Sequence, residues 1–86
     1  MARYEVFIKP SALKEIDSIG NRKVRRVVVR RIQALESDPR PPGCKKLSGD
    51  MKYRIRSGNF RILYTIEDAR LVVVVVKVGD RKDVYR

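Results

Sequence analysis

Apolar and polar positions alternate at the start of the chain. In RYEVFIK, residues 3–9, Tyr4, Val6 and Ile8 fall on one side and Glu5 and Lys9 on the other, the period-two pattern of a half-buried strand. Pro10 ends that pattern and suits the first turn of a helix. PSALKEIDSI then sets Leu13, Ile16 and Ile19 at helical spacing, with Gly20 as the stop. Asn21 can cap a second, longer helix. In it Val24, Val27, Val28, Ile32 and Leu35 occupy an arc of roughly 140° at about 100° per residue. Arg22, Lys23, Arg25, Arg26 and Arg30 lie outside the arc. Arg31 projects into the middle of it and must snorkel to its edge or find a partner. A link of only Gly20 and Asn21 predicts a helical hairpin.

The segment SDPRPPGCKK denies both helical and ladder hydrogen bonds and separates the helices from a run of strands. Three are expected, over residues 52–57, 60–67 and 70–78, with turns at Gly58-Asn59 and near Asp68-Ala69. The consecutive valines 72–76 suit a central strand or one covered on both faces. The expected class is therefore α+β: an N-terminal strand and a helical hairpin packed on a twisted antiparallel sheet, in the order β-α-α-β-β-β, as one domain over residues 1–86.

A two-residue turn at Gly58-Asn59 sets Arg56 opposite Arg61, Ile55 opposite Ile62 and Tyr53 opposite Tyr64. Tyr53, Ile55, Phe60, Ile62, Tyr64 and Ile66 then share the face that meets the helices. Arg54, Arg56 and Arg61 share the other. Like charges directly opposite in a sheet destabilise it by a few tenths to about 1 kcal/mol, and no acidic residue lies beside the arginines on that face of the hairpin, Glu67 standing at its far end. The neutralising charge is expected from outside. Arginine suits phosphate because its planar fork binds two oxygens at once and stays charged when water is excluded. The plainer reading is a solvated basic surface.

Composition sharpens this picture. Lys and Arg outnumber Asp and Glu by 21 to 10, and with no His the formal charge is +11, which points to an anionic partner, nucleic acid before membrane. Arg3 and Glu5 interrupt any signal-peptide pattern, and the apolar run Leu71 to Val76 is too short to span a bilayer, so a soluble cytosolic protein is expected. A single Cys44 and the lack of His exclude an internal disulfide, the common zinc sites and Cys/His nucleophile pairs. Cys44 reads as a small tolerated residue. The tail VKVGDRKDVYR adds Arg81, Lys82 and Tyr85, and Gly79 is expected to turn the chain back over the hairpin. Tyr85 then either closes the edge of the core or offers a ring for stacking and a phenol for proton transfer.

The order of these pieces, with KLSG at 46–49, YRIRSGNFRILYTIED at 53–68 and KVGDRKDVYR at 77–86, resembles the RelE toxins of toxin–antitoxin systems over essentially the whole chain. The resemblance implies a ribosome-dependent endoribonuclease that cleaves messenger RNA in the A site. There the ribose 2′-hydroxyl attacks the adjacent phosphate, with no metal or cofactor. It also implies a small RelB-like antitoxin partner that blocks the basic face. By position, Arg54 and Arg56 match two basic strand residues, Arg61 a phosphate-binding Arg, Arg81 a tail Arg and Tyr85 a functional Tyr. Arg56 and Arg61 would bind the non-bridging oxygens, Arg81 would stand near the leaving oxygen, and Tyr85 would orient the nucleotide. Lys45, Lys46, Lys52 and Lys82 are the expected further RNA contacts.

Two positions depart from the family pattern. The strand positions held here by Arg54 and Arg56 are often Lys, which can lose a proton when desolvated and act as a base, whereas Arg cannot. Ser48 stands where some members carry another Arg. A ParE-like inhibitor of DNA gyrase and a nonenzymatic RNA-binding or ribosome-associated module remain the alternative readings.

Overall fold

A computed structural model describes residues 3–47, 49 and 51–80. Its elements run β1 (Glu5–Ile8), α1 (Pro10–Asp17), α2 (Arg22–Gln33), β2 (Lys45–Lys46), β3 (Lys52–Ser57), β4 (Phe60–Glu67) and β5 (Val72–Asp80), with short 3₁₀ turns at Ala34–Glu36 and Asp68–Arg70. The strands form one sheet in the order β1-β5-β4-β3-β2. Both helices pack on one face of it, as the α+β expectation required. One strand pairing differs from that expectation: β1 lies parallel to β5, Glu5 against Val72 through Ile8 against Val75, so the sheet is mixed. This neighbour makes β5 a central strand over its first half and explains its run of valines.

Helix boundaries follow local chemistry. Pro10 opens α1, and the Asn21 side chain accepts the Val24 N–H at the start of α2. The buried stripes keep Ile16, Ile19, Val28, Ile32 and Leu35 of the sequence reading and differ from it at one edge of each helix. In α1, Ala12, Ile16 and then Ile19 are buried while Leu13 is 47% exposed. In α2, Val28, Ile32 and Leu35 are buried and Val24 and Val29 pack against them, while Val27 is 47% exposed. Each helix is rotated toward its small or branched residues, which let it approach the sheet closely.

The far face of the core is closed by Ile55, Ile62, Tyr64, Val73, Val75 and Val78. The Tyr64 hydroxyl donates to the Pro39 carbonyl at 2.7 Å and lies 3.2 Å from Cys44 Sγ, so Cys44 helps to seal the proline loop onto the sheet. Burial, followed by the bond to Cys44, pushes the Tyr64 phenol well above its ordinary range. Tyr53 stacks on Tyr64 with ring centroids 6.0 Å apart, and Arg40 lies over Tyr53 at 5.2 Å. Arg40 also ion-pairs with Asp68 at 2.9 Å, and Tyr4 donates to the same carboxylate at 2.6 Å.

Strand β5 begins two residues later than the sequence pattern placed it. Asp68–Arg70 turn tightly and Leu71 takes a left-handed φ of 53° before the strand starts. It also runs further, through Asp80, so Gly79 is part of the ladder and the chain does not turn there. Among the described residues no helix is long and apolar enough to cross a membrane.

Candidate functional site

The β3–β4 hairpin closes through Gly58, whose φ of 59° fits a tight primed turn. The resulting register is the expected one: Tyr53↔Tyr64, Ile55↔Ile62 and Arg56↔Arg61. Because side chains alternate along a strand, Arg54, Arg56 and Arg61 emerge together on the face away from the helices. Arg61 stands between two ladder neighbours, Arg56 on β3 and Gly79 on β5. Gly79 contributes no side chain to that row.

Burial separates the three arginines. Arg54 and Arg61 retain 9% and 8% of their exposure, whereas Arg56 is exposed. Leu63, directly opposite Arg54, is itself only 5% exposed. A guanidinium keeps its charge in such a place and acts more strongly on an anion there than in water.

The lysines sort by register. Lys45 pairs with Arg54 through β2 and Lys52 precedes Arg54 by two residues, so both share the arginine face. Lys46 pairs with Tyr53 and therefore points to the opposite side, which removes it from the expected set of RNA contacts on this face. Lys77, opposite Leu63, is drawn off by its 3.0 Å ion pair with Glu15 on α1. Arg81, Lys82, Tyr85 and Ser48 lie outside the described residues.

Two helix side chains outside the expected site residues brace this region. Arg31 Nη2 donates to the Arg56 carbonyl at 3.0 Å, and the Val78 N–H donates to Glu15 Oε1 at 3.0 Å. The signal for Arg31 was visible as a charge in an apolar stripe. For Glu15 nothing in the sequence distinguished it from an ordinary surface carboxylate. Among the described residues no group of His, Cys, Asp and Glu could hold a metal ion.

A small basic α+β chain with this sheet matches known toxins. The family described as the ParE toxin of the type II toxin–antitoxin system, parDE, matches residues 6–85. A RelE-like toxin protein of Escherichia coli is 29% identical over 96% of this chain and 90% of its own length. Among solved structures, the toxin of the intact E. coli RelBE toxin–antitoxin complex is 30% identical, covering 92% of this chain and 96% of its own, with a TM-score of 0.74. The archaeal RelE–RelB complex of Pyrococcus horikoshii gives 25% identity, 94% and 98% coverage and a TM-score of 0.82. Fold and relatives thus define a toxin of the RelE/ParE superfamily. The chain belongs to the ParE toxin family of type II toxin–antitoxin systems.

Proposed function

We propose that this toxin is a ribosome-dependent endoribonuclease that cuts messenger RNA in the A site, driving the ribose 2′-hydroxyl onto the adjacent phosphate. The observation that carries this reading is the cross-strand pair Arg56↔Arg61 on the same face as Arg54. Two guanidiniums set opposite each other concentrate positive charge where a polyanion can bind. Attack on phosphorus gathers extra negative charge on the non-bridging oxygens, and preorganised positive groups stabilise that charge more than they stabilise the ground state. Arg61 and Arg56 take those oxygens, Arg54 reinforces the field from beneath, and Lys45 and Lys52 hold the flanking phosphates. Arg81 serves the leaving 5′-oxygen and Tyr85 orients the nucleotide.

The relatives crystallised with RelB support a RelB-like antitoxin as the partner that silences this toxin. A ribosomal target puts its action in the cytoplasm. The ParE description of the matching family supports a second reading, inhibition of DNA gyrase by binding.

In vitro translation of a defined message separates the readings. Ribosome-dependent cuts that fall at least about 100-fold in Arg61→Ala, the loss expected for one transition-state donor, and also fall in Arg81→Ala, support the nuclease. An intact message with supercoiling by gyrase inhibited overturns it in favour of the second reading. RNA or ribosome binding with neither effect leaves a nonenzymatic module.

A further inference from the structure

The arginine face is not basic throughout. Its β1–β5 side carries an apolar strip bounded by Glu5 and Glu67 at one end: Phe7 is 52% exposed, and Val72, Val74 and Val76 are half-buried. On the opposite face of the same strand Val73 and Val75 are 0% exposed beneath the helices. The core accounts for the inner valines and leaves the outer row unexplained. An exposed phenylalanine on an edge strand is also a liability that charged residues usually avert.

Register ties this apolar strip to the charges. Phe7 pairs with Val74, Val74 with Thr65 and Thr65 with Lys52, so one row crosses the sheet from an aromatic ring to an ammonium. At strand spacings of about 4.8 Å and about 3.4 Å per residue, Phe7 lies roughly 17 Å from Arg61 and roughly 20 Å from Arg56. Single-stranded RNA has the matching two-sided character, with flat apolar bases along one edge and phosphates along the other.

We propose that Phe7, seated against Val74, is a base-stacking platform for single-stranded RNA whose phosphates follow Lys52, Arg54 and Arg56. The inference deepens the nuclease reading and rests on it for the ligand. Charge complementarity selects RNA: the exposed Arg56 and Lys45 on the arginine side of the same face suit an occupant that carries several negative charges. An acidic amphipathic peptide is the competing occupant.

The test uses the full chain and a labelled, uncleavable 2′-O-methyl oligoadenylate, with inorganic polyphosphate as a base-free polyanion, both read by equilibrium titration. Phe7→Ala is expected to weaken oligoadenylate binding by about fivefold or more, in line with the loss of one base–aromatic stack, and to leave polyphosphate binding unchanged. The chain has no Trp, so Phe7→Trp gives a single indole whose emission oligoadenylate should quench and polyphosphate should not. Equal losses for both ligands, no loss at all, or an indole quenched only by an acidic amphipathic peptide overturns the platform. Ribosomal cleavage is measured in parallel on the wild type. Phe7-dependent binding without cleavage supports the platform while refuting the nuclease, and cleavage without Phe7-dependent binding does the reverse.

Discussion

Arg31, on the α2 stripe that buries Val28 and Ile32, donates its Nη2–H to the backbone carbonyl of Arg56 at 3.0 Å. β2 pairs only with Tyr53 and Arg54, so the outer edge of β3 at Arg56 has no strand neighbour among the described residues. Across the sheet, the Glu15 carboxylate accepts the Val78 N–H on β5. The row Arg56–Arg61–Gly79 is thus bracketed by a charged side chain from each helix. Arg31→Met keeps the aliphatic stem and removes the donor. It should lower stability by about 1 kcal/mol, read as a lower urea midpoint with an unchanged slope.

The Arg56↔Arg61 pair predicts a conflict between stability and activity. Arg56→Glu turns a repulsive cross-strand pair into an attractive one. The variant should gain a few tenths to about 1 kcal/mol in urea unfolding while losing RNA cleavage and polyanion affinity. A variant that loses stability and keeps cleavage would remove the reason for placing the anion on this face. Natural proteins commonly give up stability at functional sites in this way.

The hairpin was legible in the sequence because two local signals agreed: a Gly-Asn turn fixed the register, and strict alternation fixed the faces. Adjacency of β1 and β5 was not legible, since the parallel pairing of Val6 with Val73 links residues far apart in the chain with no turn between them. Leu13 and Val27 misled for a different reason. Helical periodicity gives the width of an apolar stripe but not its exact edges, and packing buried Ala12 where Leu13 was expected and set Val29 rather than Val27 against the core. The burial of Arg54 and Arg61 beside exposed Arg56 is a tertiary property, which composition and spacing do not encode.

At the other end of the sheet, Asp68 predicts an acid-sensitive tie. The hydrogen bonds from Arg40 and then from Tyr4 lower its carboxyl from 3.8 to about 2. A depressed folded-state pKa stabilises the fold above the ordinary carboxylate range, and that contribution is lost as pH falls through about 2. An NMR titration should place the Asp68 midpoint near 2. In Arg40→Gln the midpoint should move up toward the ordinary value. No movement would mean that Tyr4 alone holds the carboxylate.

Glu15 offers the sharpest test of how the helices support the site. Beyond Val75, whose carbonyl accepts Lys9 N–H, β5 has lost its β1 neighbour, and a register shift between Leu63 and Tyr64 disturbs the ladder. Glu15 meets this exposed stretch with both oxygens, Oε1 on the Val78 N–H and Oε2 on Lys77 Nζ, each at 3.0 Å. Glu15→Ala removes both partners and should cost about 1–2 kcal/mol. Glu15→Gln keeps an acceptor for Val78, gives up only a half-exposed ion pair worth little by itself, and should recover most of the loss. Hydrogen exchange reads the effect locally: Val78 and Gly79 amides should lose protection in Glu15→Ala and regain it in Glu15→Gln, while the Ile62 amide changes only with global stability. Uniform loss of protection across β4 and β5 would show that Glu15 stabilises the fold as a whole and not the arm of β5 beside Arg61.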